Sequence, residues 1–205
     1  SEIVSVVHNG IIENSDKLKK NLEKSGKVFK SQTDTEVITV LLTEKLKKLE
    51  PLKAVFETLD MLKGSFALGI IFKNYKDFVI GARRGSPLAV GYSNNENYLG
   101  SDSYALKSMT NKISYLDDGD VCVLSKNDIK FYNYNKKKVN KEIFTLSEDK
   151  SSVSKGNYKN FMIKEIFEQP ITTKTCLKEY IDKIREEINF YNLPLDPKEI
   201  KKIVL

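Results

Sequence analysis

Residues 3–7 form a short β-branched run that is closed by His8-Asn9-Gly10. Asn-Gly tolerates positive φ at both positions, so this spacing predicts a strand followed by a sharp turn. From Asn14 onward, Leu18 and Leu22 repeat at i, i+4 with lysines between them, and Gly26 offers a left-handed stop, which predicts a short amphipathic helix. Thr33 and Glu36 have capping-box spacing; Val37, Ile38, Leu41, Leu42, Leu46 and Leu49 then hold an apolar helical face up to Pro51. Leu52, Val55, Phe56, Leu59 and Leu62 continue the helical period until Gly64, so two helices are expected to lie together on one face.

The period then changes. Residues 65–72 and 78–82 are apolar and β-rich and are joined by the polar Lys73-Asn74-Tyr75-Lys76-Asp77, which predicts an antiparallel hairpin. Further strands are expected at 88–92, 98–100, 112–115, 121–124, 129–132 and 139–145, separated by Asn/Asp/Gly turns. The polar residues 147–157 read as a surface loop ending a first domain, 1–150. In the remaining segment, 151–205, two helices (158–167 and 174–190) are expected on either side of Pro170, and Asp196-Pro197 opens a last element ending in Ile203-Val204-Leu205. This is an α+β pattern, with helices outside a largely antiparallel sheet system.

Composition narrows the class. A chain of 205 residues with 40% hydrophobic content can bury one good core. The +6 charge comes from 34 basic and 28 acidic residues interspersed along the chain, a weak signal for nucleic acid, and Lys136-Lys137-Lys138 reads as a solvated loop. Cys122 and Cys176 fit two small buried hydrophobes in a reducing compartment rather than a disulfide framework. No apolar stretch approaches the roughly 20 residues of a membrane span and no signal-peptide pattern opens the chain, so a cytoplasmic protein is expected.

Three places could carry chemistry. His8-Asn9-Gly10 is by itself a turn, but such a backbone can also present an asparagine amide and an N–H side by side for a developing oxyanion. Asp34 falls in the first turn of the strongest helix, where the helix dipole favours a carboxylate whatever else it does; it could equally pair with the ammonium group of an amino acid. The lone His8 has neither a second metal ligand nor an acidic partner nearby in sequence, and reads as structural. Gly81, Gly85 and Gly91 have the wrong spacing for a phosphate loop. Spacing leaves both readings of Asn9, Gly10 and Asp34 open.

Val7-His8-Asn9-Gly10-Ile11-Ile12-Glu13-Asn14, followed by Ser31-Gln32-Thr33-Asp34-Thr35-Glu36-Val37, resembles the glutaminase (class II glutamine amidotransferase) domain of glucosamine-6-phosphate synthases. The likeness continues through Ala82-Arg83-Arg84-Gly85-Ser86-Pro87-Leu88, Gly100-Ser101-Asp102, Tyr115-Leu116-Asp117-Asp118-Gly119-Asp120 and Phe161-Met162-Ile163-Lys164-Glu165-Ile166-Phe167-Glu168-Gln169-Pro170. It spans about residues 3 to 170, and 200–205 resembles the first strand of the sugar-isomerase domain that follows in that family.

The resemblance implies an N-terminal-nucleophile hydrolase sandwich, two antiparallel sheets between outer helices, here incomplete on its N-terminal side. It implies hydrolysis of glutamine by an N-terminal cysteine and delivery of ammonia to the isomerase domain, which converts fructose 6-phosphate to glucosamine 6-phosphate. By position, Asn9 and Gly10 would bind the oxyanion and Asp34 the α-ammonium of glutamine, with no cofactor and no metal. The partners implied are glutamine and a sugar-isomerase domain, on this chain or another, which could also form a homodimer; neither nucleic acid nor membrane is implied. The family's cysteine lies upstream of Ser1, so the chain is expected to be truncated at both ends and inactive alone. The rival readings are a non-catalytic product of a split gene, acting at most as an interaction module, and a basic nucleic-acid binder.

Overall fold

The computed structural model describes residues 2–146, 155–182, 187, 188, 201 and 202. The chain divides into two compact units, Ser1–Glu148 and Asp149–Leu205.

In the first unit, β1 (Val4–Ile12) leads into α1 (Ser15–Lys24), α2 (Asp34–Lys45) and α3 (Pro51–Leu59). The strands β2 (Gly64–Phe72), β3 (Tyr75–Arg84), β4 (Ala89–Ser93) and β5 (Glu96–Gly100) follow, then a four-residue helix α4 (Ser103–Leu106). The unit continues with β6 (Lys112–Tyr115), β7 (Val121–Ser125), β8 (Ile129–Tyr132), β9 (Lys138–Val139) and β10 (Phe144–Thr145). One sheet has the order β1-β2-β3-β7-β8-β9 and the other β10-β6-β4-β5, and every pairing is antiparallel.

The alternation of side chains on β2 builds the layers. Phe66, Leu68, Ile70 and Phe72 point to one face, where they pack with Ile80 and Ala82 against Leu18, Val37, Ile38, Leu41, Leu42, Val55 and Leu59 of the three helices. Ala67 points to the other face and joins Cys122, Leu124 and Phe131 in a second cluster with Val90 of the smaller sheet and Leu88 just before β4. On the far side of that sheet Ala89 and Ile113 meet Leu106 of α4. Helices, sheet, sheet and helix therefore stack as four layers, as the resemblance implies.

Several local expectations are corrected. No turn interrupts β1 at His8-Asn9-Gly10: the strand runs on to Ile12, paired without a break from Val4↔Phe72 to Ile12↔Gly64. Gly10 keeps its positive φ of 131° inside the strand, where a Cβ would lie 2.1 Å from the Ser65 carbonyl oxygen. The strand expected over 139–145 is two short pieces in different sheets. Between them Lys141 pairs with Asp117 at 2.5 Å and with the buried Asp120, pinning the chain where it crosses over. Lys136 is not simply solvated, since its ammonium pairs with Asp60 at 2.6 Å.

The second unit holds α5 (Phe161–Tyr180), capped by Asn160, whose side chain accepts the Ile163 N–H at 3.0 Å. A two-residue pairing of β11 (Ile181–Asp182) with β12 (Glu187–Ile188) follows. Pro170 lies inside this one helix instead of dividing two. The hydroxyls of Thr172 and Thr175 bond the carbonyls of Glu168 and Ile171 just around it, the kind of local adjustment that lets a helix tolerate a proline. Cys176 is exposed on α5, contrary to expectation, whereas Cys122 is buried. The elements expected at 196–205, and most of the loop expected at 147–157, lie outside the described residues.

Candidate active site

The register of β1 determines what each of its residues presents. Lys73 N–H donates to the Ile3 carbonyl and Glu13 N–H to the Lys63 carbonyl, both at 2.9 Å, so the odd-numbered residues are those bonded to β2. The even-numbered residues His8, Gly10 and Ile12 then carry their N–H groups toward the outer edge of the sheet. Side chains alternate the other way. Val4 and Ile12 are buried under the helices, while Val7, Asn9 and Ile11 lie on the opposite face. Gly69, opposite Val7, leaves room there: a Cβ on it would come 2.9 Å from Val7 Cγ2 and 3.3 Å from Leu99 of the second sheet.

Asn9 and Gly10 are thus both solvent-exposed at the sheet border. The Asn9 amide makes no hydrogen bond within the described residues, and it opens on a cleft of about 250 Å³ lined also by Val7, Ala67, Leu88, Leu99 and Ser101. Asn14 fixes the end of the strand: its amide donates to the Met61 carbonyl and accepts the Lys63 N–H, each at 2.9 Å.

Asp34 approaches the same border from the other side. It begins α2, and its Oδ2 accepts the outward Ile12 N–H at 2.8 Å, two residues beyond Gly10. Its side chain remains 27% exposed, so one face of the carboxylate is open to a ligand. It borders a polar concavity of about 420 Å³ with Ser15, Asp16, Lys19, Gln32 and Thr33. The candidate residues therefore straddle one edge strand, Asn9 on its sheet-facing side, Gly10 on the rim and Asp34 on the helix side.

The loop before α2 is held in a way the capping-box spacing does not describe. Thr33 is the N-cap but makes no side-chain cap. Glu36 instead accepts the N–H groups of Lys30 at 2.8 Å and Ser31 at 2.6 Å, together with the Ser31 hydroxyl at 2.6 Å. The Ser31 hydroxyl first, and then the Lys30 N–H, hold the Glu36 carboxyl below its ordinary 4.5. Sequence reasoning also missed Thr35, whose hydroxyl lies 3.0 Å from His8 Nδ1; the 27 residues separating them leave no local signal. The described residues hold no group of three or more His, Cys, Asp or Glu able to bind a metal, and no helix among them is long and apolar enough to cross a membrane.

Four layers of this order, with polar groups gathered at the open border of one sheet, are the architecture of the N-terminal-nucleophile hydrolases. The glutamine phosphoribosylpyrophosphate amidotransferase of B. subtilis, solved with ADP and GMP, has this fold: it matches with a TM-score of 0.56 and 24% identity over 64% of this chain and 29% of that one. Residues 1–108 match the model of the glutamine amidotransferase domain, and the chain belongs to that family. Relatives named glutamine–fructose-6-phosphate aminotransferase [isomerizing] are 44% identical over 98% of this chain in Zymomonas mobilis and 44% identical over 99% of it in Bradyrhizobium diazoefficiens. The chain spans about a third of their length, 33% and 34% respectively.

Proposed function

We propose that this chain is the glutamine-hydrolysing part of a glutamine–fructose-6-phosphate aminotransferase. Asn9 and Gly10 serve as its oxyanion donors, and Asp34 as the anchor for the α-ammonium of glutamine. The observation that carries the reading is the Ile12 N–H to Asp34 contact of 2.8 Å, which fastens the carboxylate to the strand that carries Asn9 and Gly10. A zwitterionic amino acid with a side-chain carbonyl needs such a pairing: an anion to fix one end and neutral N–H donors to meet the charge that develops at the other.

The nucleophile comes from outside these 205 residues. Cys122 is buried, and burial pushes its thiol up to about 12, so it is not a thiolate at neutral pH. Cys176 matches no catalytic position of the family that the sequence resembles. An N-terminal cysteine attacks the glutamine amide carbon, its α-amino group taking the thiol proton. The oxyanion forms between the Asn9 amide and the Gly10 N–H, the α-amino group passes its proton to the leaving nitrogen so that ammonia departs, and water cleaves the thioester to glutamate and the free thiol. The ammonia passes to a sugar-isomerase domain, on this chain or another, which makes glucosamine 6-phosphate. In this reading residues 1–150 are the amidotransferase part and 151–205, which carry α5, a connection toward that domain.

In the full-length protein, Asn9→Ala is expected to lower glutaminase turnover by about 10²–10³, the cost of losing one oxyanion donor, about 2.7–4 kcal/mol of barrier. Turnover unchanged in a correctly folded Asn9→Ala enzyme would remove the assignment.

A further inference from the structure

His8 is an unusual side chain for this chain to bury. Only 2% of it is exposed, and its Nε2 has no hydrogen-bond partner among the described residues. It lies on the helix side of β1, on the face opposite Asn9, and so has no access to an amide carbonyl held by the oxyanion donors. Its Nδ1 is 3.0 Å from the Thr35 hydroxyl, and that hydroxyl is 3.4 Å from Asp34 Oδ1. The direct separation of Nδ1 and Oδ1 is 3.6 Å.

We propose that His8 is a positioning residue that orients the Asp34 carboxylate through the Thr35 hydroxyl. This rests on the reading of Asp34 as the ammonium anchor. The single hydroxyl proton of Thr35 can go one of two ways. Given to His8, it leaves the Asp34 carboxylate without a hydroxyl donor and turns the orphaned Nε2 into a buried N–H with nothing to donate to. Given to Asp34, it makes a charge-assisted bond, Nδ1–H donates to Thr35, and only a bare lone pair is left at Nε2. The second arrangement satisfies more groups, and it fixes both the tautomer and the direction of the relay. With Oδ2 held by the Ile12 N–H, the relay clamps the carboxylate at both oxygens and sets which face it turns outward.

The test uses the full-length protein and two substitutions that separate the ring nitrogens. An asparagine amide takes the place of Nδ1 and keeps the donor; a glutamine amide takes the place of Nε2 and loses it. His8→Gln and Thr35→Val are expected to raise KM for glutamine about tenfold, the scale of one charge-assisted hydrogen bond, with kcat within about twofold. The double variant should be no worse than either single one, while His8→Asn and Thr35→Ser restore KM to within about twofold. Equal loss of kcat in His8→Asn and His8→Gln would overturn the relay, since that outcome marks a base or a packing role. A raised KM in Asp34→Asn with an unchanged KM in both His8→Gln and Thr35→Val would overturn the relay alone. An unchanged KM in Asp34→Asn would overturn the anchor and the relay together.

Discussion

Gly10 shows what a sequence can and cannot say about a single position. The Asn9-Gly10 pair announces positive φ, and the structure has it at Gly10 but not at Asn9, for a reason that is not a turn. The reason is a neighbouring carbonyl, Ser65, so close that a Cβ would sit 2.1 Å from it. That approach is made by a strand more than fifty residues downstream, which no local pattern reports. Glu36 is a second case. Its spacing from Thr33 was legible, yet its partners are Ser31 and Lys30, because the loop folds back over the helix start. Since these bonds depress its folded pKa, their contribution is present above the unfolded value near 4.5 and is lost as pH falls through the lower folded value. NMR titration of the Lys30 and Ser31 amides should show this transition below about 4.5, and Glu36→Gln should abolish it.

At the scale of elements, the long periodic segments were legible, and so were the short strands expected at 88–92, 98–100, 112–115, 121–124 and 129–132, while the shortest helix was not. The faces of α2 and α3 followed from the helical spacing of apolar residues, and the β2–β3 hairpin from two apolar runs joined by a polar segment. The four residues of α4 are too few for a period, and only Asp102, which accepts the Ala105 N–H at 2.8 Å, marks its start. Joints between elements depend on contacts that sequence does not pair. Arg84 on β3 donates to the Leu62 carbonyl at 2.7 Å and the Leu59 carbonyl at 3.3 Å, and its guanidinium lies 5.0 Å from the Phe66 ring centre. It thereby satisfies carbonyls at the end of α3 and locks that helix to the large sheet. A lysine has no fork with which to hold both carbonyls, so Arg84→Lys should cost about 1–2 kcal/mol in chemical denaturation. A change within experimental error would show that the joint is held by packing alone.

Across the whole molecule, the layer order follows from side-chain alternation on one strand. Phe66, Leu68 and Ile70 serve the helical face, and Ala67 and Gly69 the inter-sheet face, where small residues let the second sheet approach. The layering itself was implied by the resemblance, whereas residues 65–72 are apolar on both faces and show no alternation by which to assign them. The membership of strands in one sheet or the other could not be read either, because the crossover between β9 and β10 depends on Lys141 reaching Asp117 and Asp120. The candidate site was half legible: the residue types were visible, but their placement on both sides of one border strand was not.

That border strand should also keep two kinds of time. The amides of Val7, Asn9 and Ile11 are tied to β2, and they can trade hydrogen for deuterium only when the sheet opens. Those of His8 and Gly10 face outward, while that of Ile12 is held by Asp34. Isotope uptake read residue by residue along β1 should therefore alternate between slow and fast, then turn slow again at Ile12. Glutamine occupying the site would slow Gly10 and leave His8 fast, so a single amide would report whether the rim is occupied.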